Sequence, residues 1–140
     1  MKVLFAADGS EYTKKALAFL VTNDELIGTD DELVVLNIQP PVPPRVTTMV
    51  GASAVHEYHK EEADKVLAPI NAFLQRHPFR FSSSWVVGRA PDEIIRAAHA
   101  AQARMIVMGT HGHGVLVRAL MGSVAQRVVV DSDIPVLLVK

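Results

Sequence analysis

"GTHGHGVLVRALMGSVAQRVV", Gly109 to Val129, follows directly on the apolar run "MIVM" at 105–108. Four glycines (Gly109, Gly112, Gly114 and Gly122) fall within its first fourteen residues, and Ser123 follows the last of them. Each glycine raises the entropic cost of ordering the chain, so such a cluster needs a physical reason. A tight turn is one reason, and a ligand that must approach the backbone closely is another. An apolar run, a glycine-rich loop and an amphipathic segment in succession read as strand, loop and helix.

Working outward from that unit, four more short apolar runs stand out: "VLFAA" (3–7), "ELVVLNI" (32–38), "FSSSWVV" (81–87) and "PVLLV" (135–139). With "RMIVMG" (104–109) they make five candidate strands, alternating with four helix-like segments. Alternation of this kind implies a parallel sheet with helices on its faces. The runs at 3–7, 104–109 and 135–139 are almost wholly apolar, as strands covered on both sides are. The run holding Ser82, Ser83 and Ser84 is more polar and belongs at an edge.

The helix signals are local. Ser10 precedes a stripe of Ala16, Leu17, Leu20 and Val21, and is suited to be its N-cap. A long helix over about 53–76 carries Ala63, Val66, Leu67, Ile70, Phe73 and Leu74 in phase through Pro69, where a kink is expected. "APDEIIRAA" opens another, with Pro91 suited to its first helical position and two acids in its first turn. Ser123 and Gln126 have the spacing of a capping box. "PPVPPR" (40–45) reads as an extended loop.

In an open parallel α/β sheet, ligands bind beyond the carboxyl ends of the strands, where the winding direction reverses. The first strand ends in Ala7-Asp8-Gly9-Ser10, and the fourth in Gly109-Thr110-His111-Gly112-His113-Gly114. If the two strands are neighbours, both loops open into one crevice. The glycine loop leads to a helix start at Ser123, whose free N–H groups and dipole favour an anion. A phosphate is the natural guest and a nucleotide its natural carrier. Neither G-x-G-x-x-G nor G-x-x-x-x-G-K-[ST] fits the spacing.

The spacing present, Gly109-x2-Gly112-x9-Gly122-Ser123, resembles the nucleotide-binding signature of the universal stress protein family. The resemblance runs the length of the chain, through "VLFAADGSEYTKKAL", "VVGRAPDEII", "MIVMGTHGHG", "LMGSVAQRVV" and "IPVLLVK". It implies a Rossmann-like, five-stranded parallel sheet of order 3-2-1-4-5, with helices on both faces and strands 1 and 4 side by side. Members with the intact glycine signature bind ATP, while another branch lacks it and does not. By that resemblance Ala7 and Asp8 lie by the adenosine and Ile38 touches the adenine. Met108, Gly109, His111 and Gly112 line ribose and phosphates. Gly122, Ser123 and Val124 hold the phosphates, with Mg2+ carried through them. The resemblance also implies a homodimer built through the last strand, Pro135 to Val139. Arg104 departs from the pattern: many relatives have Asp there, at the start of the fourth strand. On His113 and the proline segment the resemblance is silent.

Bland roles stand beside these. Asp8 is also suited to cap the first helix, and Gly9 to make a turn. The His111-x-His113 spacing invites a metal, but no third histidine or carboxylate lies near in sequence, and zinc sites need three or four ligands. His56 and His59 share a helix face that reads as solvated. Trp85 reads as packing, and Arg118 either as a surface residue or as positive potential near phosphates.

Composition closes off other classes. The chain has 140 residues, 49% of them hydrophobic, which suits one domain with a sizeable core. No cysteine is present, so disulfides and Cys-based metal or redox sites are excluded. The formal net charge is −1 with mixed signs, which is no footprint of a nucleic-acid binder. The first apolar run is too short for a signal peptide, and none reaches the roughly 20 residues of a membrane span. A soluble cytoplasmic protein is therefore expected. The functional expectation is an ATP-binding stress-response or signalling module, read by an unknown protein partner through ligand-dependent conformation or assembly. The alternative is a slow ATPase in which Asp8 or His111 positions water. Against fast turnover, the glycine loop lacks a lysine and no metal-binding carboxylate pair is evident.

Overall fold

The computed structural model describes residues 1–113 and 121–140. The strands and α-helices follow in the order β1 (Lys2–Ala6), α1 (Glu11–Thr22), β2 (Glu32–Gln39), α2 (Pro44–Val50), α3 (Ala52–Gln75), β3 (Arg80–Val87), α4 (Ala90–Ala100), β4 (Ala103–Gly109), α5 (Ser123–Asp131) and β5 (Val136–Val139). The five strands form one parallel sheet in the order β3-β2-β1-β4-β5. The chain winds outward from β1 to β3 on one side, then crosses to β4 and β5 on the other. The reversal falls between β1 and β4.

Both faces of the sheet are covered, and successive residues of one strand serve opposite cores. Val3, Phe5 and Ala7 pack with Leu33, Val35 and Val107 under Ala16, Leu17 and Leu20 of α1 and Ala63, Leu67, Ile70 and Leu74 of α3. Leu4, Leu36, Ile106 and Met108 face the other way, against Ile94 and Ala98 of α4 and Ala125 and Val128 of α5. This explains why β1 and β4 read as unbroken apolar runs. β3 lies at the edge expected for it, and its Phe81 and Trp85 pack on the α1/α3 side.

Three local expectations are corrected. The proline segment is not extended throughout: Pro44 opens α2, with Pro43 extended before it at φ −56° and ψ 142°. Proline is preorganised for the first helical position, where its missing N–H costs nothing. His59 does not lie on a solvated face. It is only 3% exposed, because it extends the α3 stripe of Ala63, Leu67, Ile70 and Leu74 by one more turn; His56 is exposed, with its ring centroid 5.4 Å from that of Trp85. The helix begun at "GSV" is capped by Gly122, not Ser123, and no side-chain capping bond forms. The Gly122 N–H donates to the Thr110 carbonyl at 2.7 Å, which keeps residue 122 extended and moves Ser123 to the first helical position. Pro69 sits inside α3, which runs continuously across it.

Arg104 has a structural role at the amino ends of the strands, remote from the glycine loop. It donates to the Leu26 carbonyl at 2.6 Å and to Asp31 Oδ2 at 3.0 Å. The Gly28 N–H donates to the same carboxylate at 2.9 Å, and the terminal amine lies 3.1 Å from its Oδ1. Chiefly the Gly28 N–H, then the amine and Arg104, lower the Asp31 pKa to about 2. No helix among the described residues is long and apolar enough to cross a membrane.

Candidate functional site: the crevice between β1 and β4

The β1–α1 turn is held by its own side chains. The Ala7 N–H donates to the Leu36 carbonyl at 2.9 Å, continuing the sheet one residue past β1. Asp8 Oδ1 accepts from the Ser10 N–H at 2.9 Å and from the Thr13 hydroxyl at 2.8 Å. Ser10 caps α1, its Oγ accepting from the Thr13 N–H at 3.4 Å. Gly9 stands at φ +79°, in the left-handed region that favours glycine. The capping role weighed for Asp8 is therefore filled by Ser10. Asp8 clamps the turn with one oxygen, and its other oxygen faces Gly112.

The β4 loop lies against that turn. A Cβ on Gly112 would overlap Asp8 Oδ2, and one on Gly109 would come within 2.6 Å of Tyr12 Cβ. Glycine is required here for close approach and not for backbone angle, since positive φ among the described glycines is confined to Gly9 and Gly51. His113 Nε2–H donates to the Asp8 carbonyl at 2.7 Å, tying the two loops together. His111 shares a 2.9 Å hydrogen bond with the Thr110 hydroxyl, and its ring lies 4.9 Å from that of Tyr12. The two histidines thus make separate contacts. Among the described residues no group of three or more His, Asp or Glu is placed to hold a metal ion. Gly114 and Arg118 lie outside the described residues.

Thr110 also returns the chain to α5 through its bond from Gly122. The first helical bond of α5 runs from the Gln126 N–H to the Gly122 carbonyl at 2.9 Å. The N–H groups of Ser123, Val124 and Ala125 precede it and have no helical acceptor. The capping correction leaves the Ser123 hydroxyl uncommitted to a cap.

These elements enclose a crevice of about 450 Å³, within the range of small-molecule sites. Ala7, Asp8, Ile38, Met108, Gly109, His111, Gly112, Gly122, Ser123 and Val124, all singled out from the sequence, line it. So do residues that the reading missed, including Thr13, Asn37, Gln39, Ile94, Met121 and His113. Asn37 and Gln39 had a legible signal: two amides at alternate positions closing an otherwise apolar strand.

A parallel sheet of order β3-β2-β1-β4-β5 covered by helices on both faces, with a crevice at its switch point facing a helix N-terminus, defines a doubly wound α/β domain. The universal stress protein family model matches residues 1–140, and the chain belongs to that family. It is 34% identical over 138 residues to a universal stress protein of Thermus aquaticus encoded in the QAH/OAS sulfhydrylase 3′ region, spanning 99% of this chain and 97% of that one. The solved structure of protein MJ0577 superposes with a TM-score of 0.84 at 27% identity, over 99% of this chain and 94% of that chain. The universal stress protein of Archaeoglobus fulgidus, solved in complex with dAMP, shares the fold at a TM-score of 0.59 and 20% identity, over 100% of this chain and 98% of that chain.

Proposed function

We propose that the crevice binds ATP, with Mg2+ held through the phosphates, and that the protein works as a stress-response or signalling module. The observation that carries this reading is the meeting of two loops, 104 positions apart in sequence at Asp8 and Gly112, against the first turn of α5. Glycine at 109, 112 and 122 lets the β4 loop pack closely on Tyr12, Asp8 and the Thr110–His111 backbone, which brings the loop against the N–H groups of Ser123 and Val124, where the helix dipole favours an anion. Ile38 and Met108 offer apolar surface for a base, and Asp8 an acceptor for the sugar. Asp8 is the only carboxylate among the described lining residues, and its Oδ1 is occupied by the turn. That favours binding over fast phosphoryl transfer, which needs a positioned metal and nucleophile. A bound nucleotide bridging the β1 and β4 loops would favour one arrangement of them and so alter the surface a partner reads. The same reading includes assembly as a homodimer through Pro135–Val139.

The test is mass spectrometry of whatever nucleotide leaves the natively purified protein on denaturation, followed by calorimetric titration of the stripped protein with Mg-ATP. ATP or ADP in stoichiometric amount, and rebinding at micromolar or tighter affinity, is expected. No nucleotide released and no heat of binding would overturn the reading.

A further inference from the structure

A groove of about 560 Å³ adjoins the crevice along the outer face of α5, and Ser123 and Val124 line both. Arg89, Pro91, Gln126, Arg127 and Val130 complete its lining. Arg89 is the N-cap residue of α4, and Pro91 lies in the first turn of that helix. Gln126, Arg127 and Val130 follow Ser123 at helical spacing and share its exposed face, while Ala125 and Val128 turn to the core. Arg127 stands one turn, about 6 Å, beyond Ser123 along the helix.

The two cavities differ in charge. Among the described residues no lysine or arginine lines the crevice, and Asp8 brings it a negative charge. The groove is lined by two guanidiniums and no carboxylate. Each guanidinium has an acidic neighbour on α4 or α5: Arg89 Nε lies 3.7 Å from Asp92 Oδ2, and Arg127 Nε 3.8 Å from Asp131 Oδ2. Those separations exceed hydrogen-bonding range, and all four side chains are at least 42% exposed, so the pairs hold the guanidiniums weakly.

Resting on the nucleotide reading above, we propose that the groove extends the ligand site and holds an anionic group beyond the phosphates at Ser123 and Val124. The protein then favours adenosine nucleotides whose phosphate chain is longer than three, the class of nucleoside tetraphosphates and dinucleoside polyphosphates. A phosphate on the first N–H groups of α5 stands at the boundary that the two cavities share. A chain that turned back into the crevice would meet the Asp8 carboxylate. A chain that runs on into the groove meets two planar guanidiniums, each able to take a phosphate through paired N–H donors.

The experiment titrates the stripped protein with the magnesium complexes of ADP, ATP and adenosine 5′-tetraphosphate by calorimetry. The tetraphosphate should bind at least tenfold more tightly than ATP, at one per chain, and should displace ATP. Arg89→Gln and Arg127→Gln combined remove both charges at an exposed surface. They should bring the tetraphosphate within about threefold of ATP and leave ADP affinity unchanged. Inorganic tetraphosphate, which lacks the nucleoside, should bind at least tenfold more weakly than the adenosine compound. A wild type that binds tetraphosphate no more tightly than ATP would overturn the proposal, as would an advantage untouched in the double variant. Tetraphosphate bound alongside ATP, or inorganic tetraphosphate bound equally well, would mark a separate polyphosphate site and also overturn it. In each of these cases the nucleotide reading survives. Failure of all three nucleotides to bind the wild type would overturn that reading itself, and this proposal with it.

Discussion

Gly112 shows how a single absent side chain can shape the site. Its α-carbon faces Asp8 Oδ2, and the turn holds Asp8 in place through Oδ1. A side chain at 112 therefore cannot be accommodated by a small rotation of the carboxylate. Gly122 is confined differently: a Cβ there would lie 3.2 Å from His111 Cα and 3.3 Å from the Thr110 carbonyl oxygen, both backbone atoms. Its φ of −70° is open to any residue, so only the space matters. Gly112→Val and Gly122→Val should each weaken Mg-ATP binding by at least tenfold, by forcing apart loops that must lie close. Calorimetry on variants with native circular dichroism and cooperative melting is the measurement. Unchanged affinity in both would remove the glycine cradle from the site.

At the scale of elements, the two ends of the sheet are built for different tasks. At the carboxyl ends, the loops after β1 and β4 are committed to one another and to the crevice. At the amino ends, Asp31 and Arg104 fasten the segment between α1 and β2 to the start of β4. The Asp31 carboxyl titrates at about 2 in the folded chain against an unperturbed 3.8. A depressed folded pKa contributes stability that is present above the unfolded value and lost as pH falls through the folded one. The Asp31 contribution should therefore fade between about pH 4 and pH 2. Asp31→Asn should lower the melting temperature at pH 7 and flatten the acid limb of the stability curve in that window. Urea unfolding at a series of pH values would show it. An acid limb as steep in the variant as in the wild type would mean that other carboxylates set it.

For the whole molecule, the exposed edge at β5 matters most. Among the described residues its four, Val136 to Val139, pair only with β4. α5, just before it in sequence, leaves Val129 and Val130 42% and 70% exposed. An apolar edge with no charge along it invites a second strand. The backbone parity selects the residues that would receive one. The Ile106 N–H donates to the Pro135 carbonyl and the Thr110 N–H to the Val139 carbonyl, each at 2.9 Å. In a parallel ladder alternate residues turn their backbone to the same neighbour, so 135, 137 and 139 face β4 while 136 and 138 face outward. Proline at 137 would damage the chain's own sheet, whereas Leu138→Pro removes an outward N–H and spares it. Sedimentation equilibrium should give a dimer for the wild type at micromolar concentration and a dissociation constant raised at least tenfold in Leu138→Pro. A monomeric wild type would refute assembly through this edge.

The sequence by itself determined the alternation of elements, the polar edge strand, the α1 cap at Ser10 and the glycine spacing. All of these rest on side-chain periodicity and turn chemistry among near neighbours in the chain. With the family resemblance it also picked out ten residues that prove to line one crevice. It misjudged positions where a distant group decides the outcome. Ser123 has the spacing of a cap, but the Thr110 carbonyl captures the Gly122 amide and shifts the helix start. His59 is polar, but α3 lays it in register with an apolar stripe. Only the tertiary structure decided that Gly112 is needed for space beside Asp8, and that the Asn37 side chain donates to the Ala7 carbonyl, 30 residues away. Such contacts exist because β1 lies between β2 and β4. Strand order is set by packing and chain winding across the whole sheet, which no short stretch of sequence contains.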